Sequence, residues 1–376
     1  MRGLGTLVAG LFLVIVIGCG SGEGDSGLTL GGTPAAVPGS MTSTDANADI
    51  APAGSTGAAG AMSMSMALTA DGMQTPATGE MSDGTDGNTG GTGGTGDTSS
   101  GGGTPSPAGA PCTGKPGAPG TNSHSVMNGA LNRTYIVHIP ESLDPNAAAP
   151  VLFVHHGFTM SGQVMVDLTG FKGIADREGF IAVFPDGAGA TPWNVGTGVC
   201  GVGGAVAGVE DDFGFVDKML DAIEADHCVD RERVMTTGFS MGGYFSNHIG
   251  CQEGGSKIRA IAPHSGGTYS GDCSGAPLPV MLLHGTGDAL ITPDCGTGAR
   301  DLWVQRNGCS SEFETRPVMG GHCEWHNGCP EGGQVVMCLF DGMAHAWAGA
   351  PQGLYGSGPA FDDASELIWD FFKQNL

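Results

Sequence analysis

From Leu131 onward the chain alternates short apolar runs with polar breaks. "LNRTYIVHIP" alternates and is β-rich, which predicts an early strand at a sheet edge. "APVLFVHHG", "GFIAVFPDG", "RVMTTGFS", "IRAIAPHSG", "LPVMLLHGTGD" and "GQVVMCLFDG" are short apolar runs stopped by Gly, Pro, His or Asp, the pattern of buried strands ending in loops. Between them, "EDDFGFVDKMLDAIEADH" starts acidic and repeats apolar residues at helical spacing through Phe215, Met219, Ala222 and Ile223. "MGGYFSNHIGC" reads as a second helix, and "FDDASELIWDFFKQN" as a closing one with Asp362 or Asp363 near its start. Apolar strands alternating with helices predict an α/β fold class, a mostly parallel central sheet with helices on both faces. In such sheets chemistry sits at the carboxyl ends of the strands.

The first third of the chain lacks this pattern. Residues 1–19 carry Arg2 and then an apolar run from Leu7 to Ile17, too short for the roughly 20 residues that span a bilayer but suited to an export signal. "VIGC" resembles a bacterial lipobox, which would leave Cys19 as a lipidated N-terminus; the alternative is an ordinary signal with a chance cysteine. Residues 20–111 hold no aromatic, no lysine, no arginine and no cysteine. Such a stretch buries too little apolar surface to offset the entropy of ordering, so it reads as a disordered Gly/Thr/Ser/Ala-rich linker. Residues 112–376 have the length of one large α/β domain.

The net charge is −24. The linker holds nine of the acids and none of the bases, and Arg2 is the only charge before it, so the domain keeps −16. A surface that acidic repels phosphates, which argues against nucleic acid as a partner. Membrane contact is expected only through the lipid anchor; oligomeric state is left open. Ten of the eleven cysteines fall in the domain, an even count that in an exported protein reads as up to five disulfides. Sequence alone does not give the pairing; a small loop Cys323–Cys329 and a bridge Cys309–Cys338 are the expectation.

"GFSMG" matches G-x-S-x-G, with a strand before it and a helix after it. Gly238 and Gly242 let strand and helix approach while Ser240 takes a strained conformation with Oγ presented. The competing reading is a serine that only caps the helix. Ser265 in "APHSGG" also ends a strand but lacks the preceding glycine. A serine needs a base, and the base an orienting acid; in the α/β-hydrolase fold they follow in the order Ser, acid, His. Asp288 after "MLLHG" and His345 in "CLFDGMAHAWAG" take those places. Asp294 and Asp341 are the rival acids, and His264 and His284 read as hydrogen-bonded core or rim histidines. The oxyanion donors expected are the N–H groups of Met241 and Phe158, with Thr159 in reserve and His155 and His156 bracing the loop.

"GGHCEWHNGC" gives His322, Cys323, His326 and Cys329 ligand-like spacing, but an oxidising compartment favours disulfides, so no metal and no cofactor is expected. Trp193 and Trp347 could stack on an aromatic acyl group or a sugar, or equally fill the core.

The stretch "EDDFGFVDKMLDAIEADHCVDRERVMTTGFSMGGYFSNHIGC", then "HGTGD", then "NGC…VVMCLFDGMAHAWAG" resembles the secreted polyhydroxybutyrate depolymerase/feruloyl esterase family of α/β-hydrolases, over about Ser123 to Leu376. The resemblance implies a Ser240–Asp288–His345 triad and hydrolysis of carboxylic esters without a cofactor. Relatives often have Asn where Met241 stands, and His-x-Trp-Pro where this chain has "HAWAG". The expected substrate is a polymer-linked ester, foremost feruloyl or acetyl esters of plant polysaccharide. The alternatives are a short-chain polyhydroxyalkanoate, a non-catalytic surface binding domain or a peptide substrate.

Overall fold

The computed structural model describes residue 115 and residues 117–189, 193–196, 199–201, 210–268 and 273–376. The signal segment with Cys19, the linker 20–111 and Cys112 lie outside the described residues. Among the described residues the chain begins with an antiparallel pair, β1 (Gly120–Asn128) and β2 (Leu131–Ile139). β3 (Ala149–His155), two short helices α1 (Gly162–Thr169) and α2 (Phe171–Glu178), and β4 (Ile181–Pro185) follow. Next come α3 (Asp212–Asp226), β5 (Val229–Phe239), α4 (Met241–Glu253), β6 (Ala260–His264) and β7 (Val280–Gly285). α5 (Pro293–Asn307), β8 (Phe313–Val318), β9 (Gly321–His326), β10 (Val335–Phe340) and α6 (Ala364–Asn375) complete the order.

The strands form one ten-stranded sheet in the order β1-β2-β4-β3-β5-β6-β7-β10-β9-β8. From β4 to β10 the neighbours run parallel; β2 joins β4, and β9 joins β10, antiparallel. β2 is therefore not the edge expected of it: β1 covers its outer side across a nine-residue register. Alternate residues of each parallel strand feed two separate cores. Val151 and Phe153 pack with Phe215 and Met219 of α3, Phe245 and Ile249 of α4, and Trp303 of α5. Leu152 and Val154 pack on the other face with Met165 of α1, Ile174 of α2 and Ile368 and Phe371 of α6. Each such side chain contributes about 1.5–3 kcal/mol by leaving water. That burial on both faces is why the strands read as unbroken apolar runs.

Side chains close several helix starts. Asp211 accepts from Gly214 N–H at 2.8 Å to begin α3, and Asp363, rather than Asp362, accepts from Ser365 N–H at 2.8 Å to begin α6. Asp362 instead accepts from Met319 N–H.

Disulfides join Cys200–Cys295, Cys251–Cys273, Cys309–Cys329 and Cys323–Cys338, and Cys228 is disulfide-bonded as well. The expected pairings Cys323–Cys329 and Cys309–Cys338 are corrected by strand register. Cys323 on β9 lies directly opposite Cys338 on β10, so these two meet. Cys329 falls beyond the end of β9, beside Cys309 just past α5. Disulfides in this number belong to an oxidising compartment.

Candidate active site

Ser240 sits between β5 and α4 with φ 56° and ψ −116°. For a residue with a Cβ this backbone costs about 1–3 kcal/mol, a strain sustained only where surrounding packing imposes it. The packing is visible in the two flanking glycines. A Cβ at Gly238 would stand 2.4 Å from Gly242 O, and one at Gly242 would stand 2.2 Å from His155 O. The turn is thus wedged between β3 and the first turn of α4, and Ser240 N–H is tied to His264 O at 2.9 Å. Ser240 occupies the N-cap position but makes no side-chain capping bond, so capping is not its role. Its side chain is half-buried and faces a cavity. Ser265 also has positive φ, at 49°, but is fully buried and bonded to His264, so it presents no hydroxyl.

Asp288 follows β7 and is buried. Its Oδ1 accepts from the N–H groups of Leu290 and Ile291, both at 2.9 Å, and its Oδ2 accepts from His345 Nδ1 at 2.6 Å. Burial works against the charge, but the His345 bond and the backbone N–H of Ile291 outweigh it and hold the carboxyl below its ordinary range. An ionised acceptor fixes the proton of His345 on Nδ1 and leaves the lone pair on Nε2, the arrangement of a base. The ring of His345 lies 4.8 Å from that of Phe239, the residue before Ser240. The rival acids are elsewhere: Asp294 is exposed in the first turn of α5, and Asp341 is exposed after β10. His264 and His284 are buried and hydrogen-bonded.

The first intrahelical bond of α4 runs from Tyr244 N–H to Ser240 O, which leaves Met241 N–H among the unpaired donors of the first turn. Phe158 lies on the loop after β3. Gly157 brings that loop against the serine, since a Cβ there would stand 3.2 Å from Ser240 Cβ. Both expected donor residues line the same cavity as Ser240, about 380 Å³ in volume. Its other walls include Val195, Tyr244, Leu290 and Ile291, which the sequence reading did not single out. Two signals were present: Tyr244 is four residues after Ser240 on one helix face, and Leu290 and Ile291 directly follow the candidate acid.

The two tryptophans are core residues, so neither offers a ring face to a ligand. Trp193 is 1% exposed, packs on His155, His156 and Phe245, and donates to His156 O at 2.7 Å. Trp347 is 0% exposed, stacks on His264 and donates to Ser365 Oγ at 3.1 Å. Cys323 and Cys329, two of the four residues with ligand-like spacing, belong to different disulfides. Among the described residues no cluster of three or more potential ligands is placed to hold a metal, and no helix is long and apolar enough to cross a membrane.

No family model matches the chain. It is 31% identical over 260 residues to a probable feruloyl esterase C of Aspergillus terreus, covering 67% of this chain and 87% of that one. It is 27% identical over 265 residues to a bifunctional acetylxylan esterase/xylanase of Neocallimastix patriciarum, covering 67% of this chain but 35% of that longer protein. An acetyl xylan esterase structure from Aspergillus awamori shares the fold with a TM-score of 0.50, at 13% identity, over 67% of this chain and 99% of the other. The sheet, the elbow after β5 and the acid–histidine pair after β7 and β10 define an α/β-hydrolase. Within that class the chain belongs to the feruloyl esterase family and is a carboxylic ester hydrolase.

Proposed function

We propose that this protein is a serine-dependent esterase that removes feruloyl-type acyl groups, and secondarily acetyl groups, from plant polysaccharide. The observation that carries the serine mechanism is the strained, uncapped Ser240 directly after Phe239, whose ring lies 4.8 Å from that of the His345 bonded to Asp288. His345 Nε2 takes the Ser240 proton as Oγ attacks the ester carbonyl. The oxyanion is held by Met241 N–H and Phe158 N–H. His345 returns the proton to the departing sugar hydroxyl, and water repeats the sequence to release the acid. The apolar walls of Phe158, Val195, Met241, Leu290 and Ile291 favour an aromatic acyl group, which would fill far more of the cavity than an acetyl group.

The relatives matched by sequence are named as feruloyl and acetylxylan esterases, which supports plant polysaccharide over the polyhydroxyalkanoate reading. We also propose that residues 112–376 form the catalytic domain, that 20–111 tether it, and that the chain is exported and lipidated at Cys19. Incorporation of a palmitate analogue that disappears in Cys19→Ala tests the anchor.

The central test is an ester panel with methyl ferulate, an acetylated xylan and a hydroxybutyrate oligomer, run beside Ser240→Ala. Methyl ferulate is expected to be cleaved fastest. A fluorophosphonate should label the wild-type protein and not the variant; labelling of both, or hydrolysis by the variant at wild-type rate, would refute the assignment.

A further inference from the structure

Two backbone groups and one imidazole fix the loop after β3. His156 is 3% exposed. Its Nε2 lies 2.9 Å from Gly187 N–H and its Nδ1 lies 2.7 Å from Gly157 O. A backbone N–H can only donate and a carbonyl can only accept, so the tautomer is determined: Nε2 carries the lone pair and Nδ1 the proton. Burial pushes this imidazole toward the neutral form that the pattern requires, against the pull of the Gly157 bond and the nearby Asp186. The other side of the ring is anchored in turn. Asp186 N–H bonds Thr134 O at 3.0 Å, and Asp186 O accepts from Arg133 at 3.2 Å, so the chain carrying Gly187 is held to β2. Trp193 donates to His156 O and covers the ring at 5.1 Å.

Gly157 C=O and Phe158 N–H belong to one planar peptide unit, in which they point in opposite directions. Whatever aims the oxygen also aims the N–H. Two donors aim this oxygen: His156 Nδ1–H at 2.7 Å and Met160 N–H at 3.2 Å. Met160 N–H comes from the same loop and moves with it. His156 directly follows β3 and Trp193 holds its carbonyl, so its Nδ1–H supplies a reference outside the turn, while the Gly187 bond serves to fix the tautomer.

We propose that His156 is a positioning residue for ester hydrolysis: by donating Nδ1–H to Gly157 O it aims Phe158 N–H at the oxyanion. This rests on the serine-esterase reading of the same site. The imidazole neither touches substrate nor transfers a proton. It holds a donor in place before charge develops, which is when a preorganised donor is worth most.

The test separates the two ring nitrogens. His156→Asn keeps a donor near the Nδ1 position and loses the acceptor for Gly187. His156→Gln keeps an acceptor near Nε2 and loses the donor to Gly157. If aiming the peptide is the role, kcat on methyl ferulate falls about 10- to 100-fold in His156→Gln, part of the 100- to 1,000-fold attached to a whole oxyanion donor. His156→Asn should stay within about threefold of wild type, and KM should change little in either, because the ground-state ester does not need the donor. Affinity for a boronic acid that forms a tetrahedral adduct should fall in His156→Gln in step with kcat. Thermal unfolding of both variants supplies the structural control. Equal kcat losses in the two variants, losses that track the melting temperature, or an Asn variant that fails to fold would each overturn the proposal. A wild-type protein that cleaves no ester, or a fully active Ser240→Ala, would instead refute the underlying reading of the site.

Discussion

At the scale of the residue, the site depends on proton positions that neighbouring atoms dictate. Asp288 spends one oxygen on two backbone N–H groups and the other on His345, so it is held both in place and ionised. Replacing it with Asn keeps the shape but supplies an amide that can donate to His345 Nδ1, which flips the imidazole into the tautomer that has no base at Nε2. Asp288→Asn should therefore lower kcat by about 10³- to 10⁴-fold with KM nearly unchanged. Steady-state kinetics on methyl ferulate checks this; a tenfold effect or less would mean that Asp288 does not orient the base. The Asp288–His345 contact was legible in the sequence because this sheet presents its acid and its histidine at the ends of particular strands. The fate of the tryptophans was not. A tryptophan beside a catalytic motif looks the same in sequence whether its ring faces a cavity or, like Trp347, packs between α2 and the strand ends.

At the scale of the element, the parallel core was legible and the sheet's margins were not. The runs that became β3 through β7 and β10 are apolar because both their faces are covered. β1 and β8 are almost wholly exposed, so "GTNSHSVMN" and "FETRPV" carry no burial pattern to read. α5 was missed because "PDCGTGARDLWVQRN" is polar and contains two glycines, one of which is required by packing: a Cβ at Gly296 would stand 2.6 Å from the His284 ring. The pairing of Cys323 with Cys338 depends on β9, an element the sequence reading did not contain. Two expectations belong at this scale. Gly242→Ala forces a Cβ onto the β3 carbonyls, so the elbow must open; expression as insoluble protein, or a soluble protein with at least about tenfold less activity, is expected. A Gly242→Ala enzyme with wild-type rate and melting temperature would contradict the wedged turn. The Cys200–Cys295 bridge closes a loop of sequence separation 95 beside the cavity wall at Gly201. By the chain-entropy relation its loss costs about 4–5 kcal/mol. Urea unfolding of a Cys200→Ser/Cys295→Ser double variant should show that loss together with a raised KM for methyl ferulate; unchanged values of both would detach the bridge from the site.

At the scale of the whole molecule, the same buried imidazoles that shape the site make the fold sensitive to acid. Burial pushes His155 down to about 3, with the Arg133 guanidinium adding to it. Burial also lowers His156, His248, His264 and His284, the deepest of them being His264, which sits near His284 and His345. In the unfolded chain each of these rings takes up a proton near pH 6.5. Below that pH the unfolded state binds protons that the native state refuses, so stability falls as pH drops, by about 1.4 kcal/mol per pH unit for each ring fully in its window. Asp288, held below its ordinary range, adds to the loss only below about pH 4, where the unfolded carboxyl protonates. Asp212 and Asp363, raised by burial, act in the opposite direction near that same pH. Between pH 6.5 and 4.5 the histidines therefore dominate, and the unfolding free energy should decline steeply across that interval. His155 isolates the cause, because among the described residues neither of its ring nitrogens has a hydrogen-bond partner and its ring packs among Phe153, Trp193 and Phe245. His155→Phe removes one proton-binding site of the unfolded chain while keeping an aromatic ring in an aromatic niche. Urea unfolding at a series of pH values should give a slope shallower by about one proton than that of the wild type. Parallel curves for the two proteins would show that His155 is protonated in the native state despite its burial, and that the acid sensitivity of this fold arises elsewhere.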